Sequence, residues 1–176
     1  MSRIGSLGFV LSFCGSALTA ESPATFKVSE FTFTRPANWE WMATTSAMRK
    51  AQLKVVDPKS KESADVIFFH FGPGNGGGTQ ANVQRWFGQF QEPRNKINAK
   101  SEETTVGKHK VTYVQAEGTY NSGMPGGPAT PMTDYSLAGA IIEADGGSVF
   151  VRMTGPKDLV KLSLADFKKM IEVALK

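Results

Sequence analysis

The chain has 176 residues, enough for one domain and short of two comfortable ones. Apolar residues make up 40% and charged residues 20%, a balance that excludes a disordered tail, while 18 glycines and 9 prolines make the chain loop-rich without low complexity. The net charge of +4 is too mild to be a nucleic-acid footprint by itself, since that needs basic residues gathered on one face.

Arg3 is the single charge before Glu21. It is followed by the short apolar stretch from Ile4 to Cys14 and then by small residues ending in Ala17-Leu18-Thr19-Ala20. A basic start, a brief apolar core and a small-residue end are the three parts of an export signal. The stretch is too rich in glycine and serine for a membrane span, which wants about 20 predominantly apolar residues. The expectation is a signal peptide over 1–20, cleavage after Ala20 (Ala17 second), and a secreted or periplasmic product with no transmembrane segment. Cys14 raises the alternative of a lipid anchor, but Phe13 occupies the position where such sites need a small residue. Cys14 is the chain's one cysteine. The exported chain would therefore have no disulfide, no thiol nucleophile and no Cys-based zinc or redox site.

Beyond the signal, Phe26 to Thr34 alternates on either side of a break and reads as strand. Arg35-Pro36-Ala37-Asn38 reads as a turn, Trp39 to Met42 as a strand, and Met48 to Val56 as a strand with one wet face. Asp57 to Ser63 is a charged turn, and Val66 to Phe71 is apolar on both faces, as suits a central strand. Thr79 is expected to cap a helix whose stripe is Val83, Trp86, Phe87 and Phe90, with Pro93 ending it. Thr104 to Tyr120 reads as a strand bent at Gly107, with Lys108-His109-Lys110 an exposed turn, and 121–133 as a long mobile loop. Tyr135 to Ala144 and Ser148 to Met153 pair as a hairpin about Asp145-Gly146-Gly147. Ser163 is expected to cap a last helix that buries Leu164, Phe167, Met170, Ile171, Ala174 and Leu175. Strands, helix, strands and helix, with no repeat and no dividing linker, predict one α+β domain over 21–176: an antiparallel sheet with helices packed on it.

The segment Phe31-Thr-Phe33-Thr-Arg-Pro36-Ala-Asn-Trp39 is similar to the opening of PsbP-like domains, the α/β/α sandwich shared by PsbP and Mog proteins. Met48-Arg49, the run Phe71 to Gly78, Asn82-Val-Gln-Arg85-Trp86-Phe-Gly-Gln89-Phe90 and Thr154-Gly155-Pro156 resemble an uncharacterised family of bacterial secreted proteins. Together the likenesses cover nearly all of 26–176. The PsbP-like one implies binding or assembly work rather than catalysis, and fold kinship carries no activity.

Gly72-Pro73-Gly74-Asn75-Gly76-Gly77-Gly78 stands between a strand and the Thr79 helix. Its spacing Gly72-x-Gly74-x-x-Gly77 matches a dinucleotide fingerprint. Pro73 removes an amide, the sheet reads as antiparallel, and no Gly-Lys-Ser/Thr follows to hold phosphates. The loop is then either a glycine turn that needs positive φ angles or an anion site built of loop amides at a helix N-terminus. The candidate ligand-binding residues are Gly74, Gly76, Gly77, Gly78, Thr79, Asn82 and Arg85. Asn82, Arg85 and Gln89 share one side of the helix, where Asn82 either ties down the loop or joins a polar cluster for an acidic group. Neither His70, within an apolar strand, nor His109, between lysines, belongs to a metal-ligand or triad pattern. The residues predict a non-catalytic binding domain with no cofactor and no metal, whose partner is a protein or a small anionic ligand and not a nucleic acid. The alternative is a hydrolase or other small-ligand enzyme centred on 74–79, Asn82, Arg85 and His70.

Overall fold

The computed structural model describes residues 22–44, 46–123 and 128–176. The expected signal peptide, Cys14 and the Ala20 cleavage site lie outside the described residues. A hairpin of β1 (Thr25–Val28) and β2 (Phe31–Thr34) opens the domain, turning at Ser29 with φ 55°. The main sheet holds β3 (Trp39–Met42), β4 (Arg49–Val56), β5 (Ser63–His70), β6 (Lys100–Val106), β7 (His109–Ser122), β8 (Thr130–Ile142) and β9 (Val149–Pro156). Its spatial order is β3-β4-β5-β9-β8-β7-β6, antiparallel throughout. Helix α1 spans Thr79–Phe87 and α2 spans Lys157–Ala174.

Strand alternation sends two sets of side chains to opposite faces. On one face Leu53, Val66, Phe68, Val151, Met153 and Ile142 meet Phe26 and Phe33 of the hairpin and Phe167, Met170 and Ile171 of α2. On the other, Leu137, Ile141, Val114 and Phe150 meet Val83, Trp86 and Phe87 of α1, with Phe90 just beyond it. Helices thus lie on both faces of an antiparallel sheet, in agreement with the expected α+β class. Burying a side chain such as Phe167 completely contributes about 1.5–3 kcal/mol, so stability rests on these two apolar layers. The α1 layer covers only part of its face. Toward β3, β4 and β5 the sheet stays open, with Gln52, Lys54, Asp65, Phe69, Arg152 and Thr154 half-buried.

Several boundaries differ from expectation. Thr104 to Tyr120 is a hairpin rather than one bent strand, because Gly107 (φ 59°) with Lys108 reverses the chain between β6 and β7. His109 is not in an exposed turn: it is half-buried in β7, with Nδ1 3.3 Å from the Glu143 carbonyl and its ring edge-on to Phe31 at 4.9 Å. The long loop is shorter than 121–133, since Asn121 pairs with Pro131 and Ser122 with Thr130 as a two-stranded ribbon projecting past β9. Pro131 is tolerated there because no third strand asks for its missing N–H. Residues 124–127 lie outside the described residues. Ser163 is no cap but a buried residue inside α2, which begins two turns earlier, with Pro156 at its N-cap and Asp158 in its first turn. Proline at a helix start uses a position that has no amide partner anyway.

Candidate functional site

The pairing of β5 with β9 sets His70 opposite Val149, which carries the chain leaving β5 past the turn that joins β8 to β9. His70 Nε2 lies 3.0 Å from the Gly146 carbonyl, so this nitrogen carries the proton and donates. A side chain on Gly147 (φ 103°) would collide with the Gly72 carbonyl. The two turns therefore pack backbone on backbone. From there Gly72, Gly74, Gly76 and Gly77 take φ of 83°, 70°, 90° and 78°, a region costly to any residue with a Cβ. Gly76 is also sterically fixed: a Cβ there would lie 2.9 Å from the Phe71 ring and 3.0 Å from that of Phe150.

Asn82, only 3% exposed, reaches back from α1 and donates from Nδ2 to the carbonyls of Gly76 (2.9 Å) and Gly78 (3.0 Å). Thr79 is the first helical residue rather than the cap; that position falls to Gly78, which is extended at φ −73°, ψ 159°. The Thr79 hydroxyl instead donates to Glu143 Oε1 at 2.7 Å, a second tether to the neighbouring turn. With the carbonyls of Gly76 and Gly78 drawn toward Asn82, the amides of Gly76, Gly77, Gly78, Thr79 and Gln80 have no protein acceptor among the described residues. Gly74, Gly77 and Gly78 are exposed. Arg85 is exposed one turn along, without a hydrogen-bonded or ion-pair partner among the described residues. Its guanidinium lies close to the loop, 3.6 Å from where a Gly77 Cβ would stand. Exposed donors at a helix N-terminus, supplemented by a nearby guanidinium, suit an anion.

Gln89 parts company with Asn82 and Arg85. The helix ends at Phe87, and Gln89 Oε1 accepts from Arg152 at 3.0 Å and from the Tyr120 hydroxyl at 3.1 Å. Glu143 and Gly146, which meet Thr79 and His70, and Arg152, which meets Gln89, are neighbours that local sequence does not reveal. The only signal for Glu143 and Gly146 was the hairpin turn, and their proximity comes from strand register. Surface cavities of about 380 and 470 Å³ lie elsewhere, beside Arg35 to Asn38 with α2 and beside Arg35 to Trp41. In both, Arg35 ties down its own chain by donating to the Pro23 and Trp39 carbonyls. Among the described residues no group of three His, Cys, Asp or Glu converges as a metal site, and no helix is long and apolar enough to cross a membrane.

No family model and no curated protein matches the chain. Among solved structures the chain is similar to the solution structure of cyanobacterial PsbP (CyanoP) from Synechocystis sp. PCC 6803. The two are 11% identical over 90% of this chain and 95% of that one, with a TM-score of 0.49. A likeness this loose assigns no function, and the chemistry below rests on this chain's own residues.

Proposed function

We propose that this chain is an exported, non-catalytic accessory domain of PsbP-like type that binds an anionic group through its glycine loop. The group is a small anion or an acidic patch on a partner protein. The observation that carries the reading is the division of labour around 72–85. The polar side chains of this segment are engaged in holding the fold: His70 on the Gly146 carbonyl, Thr79 on the Glu143 carboxylate and Asn82 on two loop carbonyls. What is left without a protein partner among the described residues is the amides of 76–80 and the exposed Arg85 guanidinium, donors that attract negative charge but transfer no proton readily. This favours binding over the hydrolase alternative.

The reading also divides the candidate residues by role. Asn82 and Thr79 shape the loop, whereas Gly76, Gly77, Gly78 and Arg85 contact the ligand, with exposed Gly74 at the rim. The test is calorimetric titration of the full chain with inorganic phosphate and sulfate, repeated on Arg85→Ala. Heat that saturates in the parent and weakens at least tenfold in the variant, at an unchanged melting temperature, supports the reading. Absence of heat in the parent refutes it.

A further inference from the structure

The open part of the sheet carries a cation, Arg152, that makes no ion pair among the described residues. Arg152 stands in the middle of β9, between Ile67 of β5 and Gly139 of β8. The Trp86 ring fills the space that a Gly139 side chain would take, so Arg152 is walled on that flank. On the other, its guanidinium carbon lies 5.9 Å from the centre of the Phe69 ring. One terminal nitrogen donates to Gln89 Oε1, which also accepts from Tyr120, so the group is held in a single orientation.

The rest of the guanidinium is unused. Nε is buried without a partner, and the second terminal nitrogen is neither bonded nor sealed off. Among the described residues the ion pair is Lys110 with Glu103, far from this site in β6 and β7. Asp65 shares the sheet face but accepts from Gln52 at 3.3 Å, and Gln52 in turn accepts from Arg49 at 2.8 Å. A buried donor left without an acceptor is unfavourable, and the edge formed by Nε and a terminal nitrogen is the one a carboxylate grips with two parallel bonds. Beside it Phe71 stacks on Phe69 at 6.3 Å between centroids and is 40% exposed, an apolar shelf that begins at the guanidinium.

We infer that Arg152, Gln89, Phe69 and Phe71 form a binding site for a carboxylic acid with an aromatic or acyl body. The carboxylate meets the free terminal nitrogen first, then closes on Nε by displacing the side chains that cover it. Gln89 and Phe69 keep the guanidinium in place, and the apolar body lies along Phe69 and Phe71. The site is distinct from the anion site proposed at the loop amides: Arg152 and Phe69 stand on the sheet, Gln89 follows α1, Phe71 leads from β5 into the loop, and Arg85 takes no part in it.

The probe is 3-phenylpropionate titrated into the full chain and followed by protein NMR, with acetate and 3-phenylpropylamine as partners lacking the body or the acid. Saturable binding of 3-phenylpropionate is expected, at least tenfold tighter than acetate, with none by the amine. Arg152→Lys, which keeps the charge and loses the fork, should weaken binding at least tenfold. Phe71→Ser, at a residue 40% exposed and with the melting temperature read alongside, should weaken the phenyl acid and leave acetate unchanged. Arg85→Ala should leave all of these intact, so a failed anion site at the loop and a failed carboxylate site here give different results. No saturation by 3-phenylpropionate, equal binding of the amine, or full affinity in both Arg152→Lys and Phe71→Ser would overturn the inference.

Discussion

Asn82 offers the sharpest test of how the loop is held. Asn82→Ala removes both side-chain bonds, leaving the Gly76 carbonyl without its donor and the Gly78 carbonyl with only the backbone amide of residue 82, in a place where Asn82 was 3% exposed. At about 0.5–1.5 kcal/mol net for each bond, the loss is about 1–3 kcal/mol. In a domain of this size each kcal/mol lowers the melting temperature by about 2–4 °C. Asn82→Asp is the more telling change, since it keeps the shape and replaces the donor with a carboxylate facing two carbonyl oxygens. Burial and those oxygens disfavour the charged form, so the introduced carboxyl has a folded pKa above its unfolded one. A raised folded value means the stability is present at low pH and is lost as pH rises through that value. Urea unfolding followed by tryptophan fluorescence should therefore show Asn82→Asp weaker than Asn82→Ala at pH 7 and recovering toward the parent in mild acid. If Asn82→Ala unfolds within about 0.3 kcal/mol of the parent, or Asn82→Asp shows no pH dependence of its own, the tether is not what shapes the loop.

Two further outcomes follow from the packing. Gly139→Ala places a methyl group into the Trp86 ring, and overpacking of this kind destabilises by about 1–3 kcal/mol; a urea midpoint equal to the parent's would mean that α1 lies elsewhere. Tyr113 has its phenol pushed up to about 12, first by burial and then by the charge of Glu172. Because the folded value exceeds the unfolded one near 10, its stabilising effect is complete below about pH 10 and is lost as pH climbs toward 12. Ultraviolet titration should thus find one of the three tyrosines ionising last, and Tyr113→Phe should remove that step and flatten the alkaline decline in melting temperature.

Much of this architecture is legible in the chain. Period-two alternation in 49–56 and the i, i+3, i+4 spacing of Val83, Trp86 and Phe87 report directly which side chains are buried, and both elements lie where the spacing put them. The glycine-turn reading of 72–78 expects positive φ, and Gly72, Gly74, Gly76 and Gly77 adopt it, while Gly78 is extended. Two kinds of information were missing. Local punctuation was ambiguous: Pro156 began α2 although Ser163 carried the stronger capping pattern, and Gly and Pro around 123–131 masked strands that continue as a ribbon. Long-range placement was absent altogether. That His70 donates to Gly146, that Thr79 meets Glu143, and that Arg152 shares Gln89 with Tyr120 follow from sheet register across 63–76 residues in the longest cases. The candidate site was therefore found as a stretch of sequence, while the roles of Asn82 and Thr79 within it needed the fold.

The measurement closest to the central claim is a phosphate titration of the isotopically labelled full chain, read residue by residue from backbone amide shifts. The account predicts saturable shifts at Gly76, Gly77, Gly78 and Thr79 that share one affinity and shrink in Arg85→Ala, while Asn82 Nδ2 keeps its shift because it stays bonded to the loop carbonyls. Amides of 76–80 that do not move at saturating phosphate, or an Asn82 side chain that swings free to join the ligand, would contradict it.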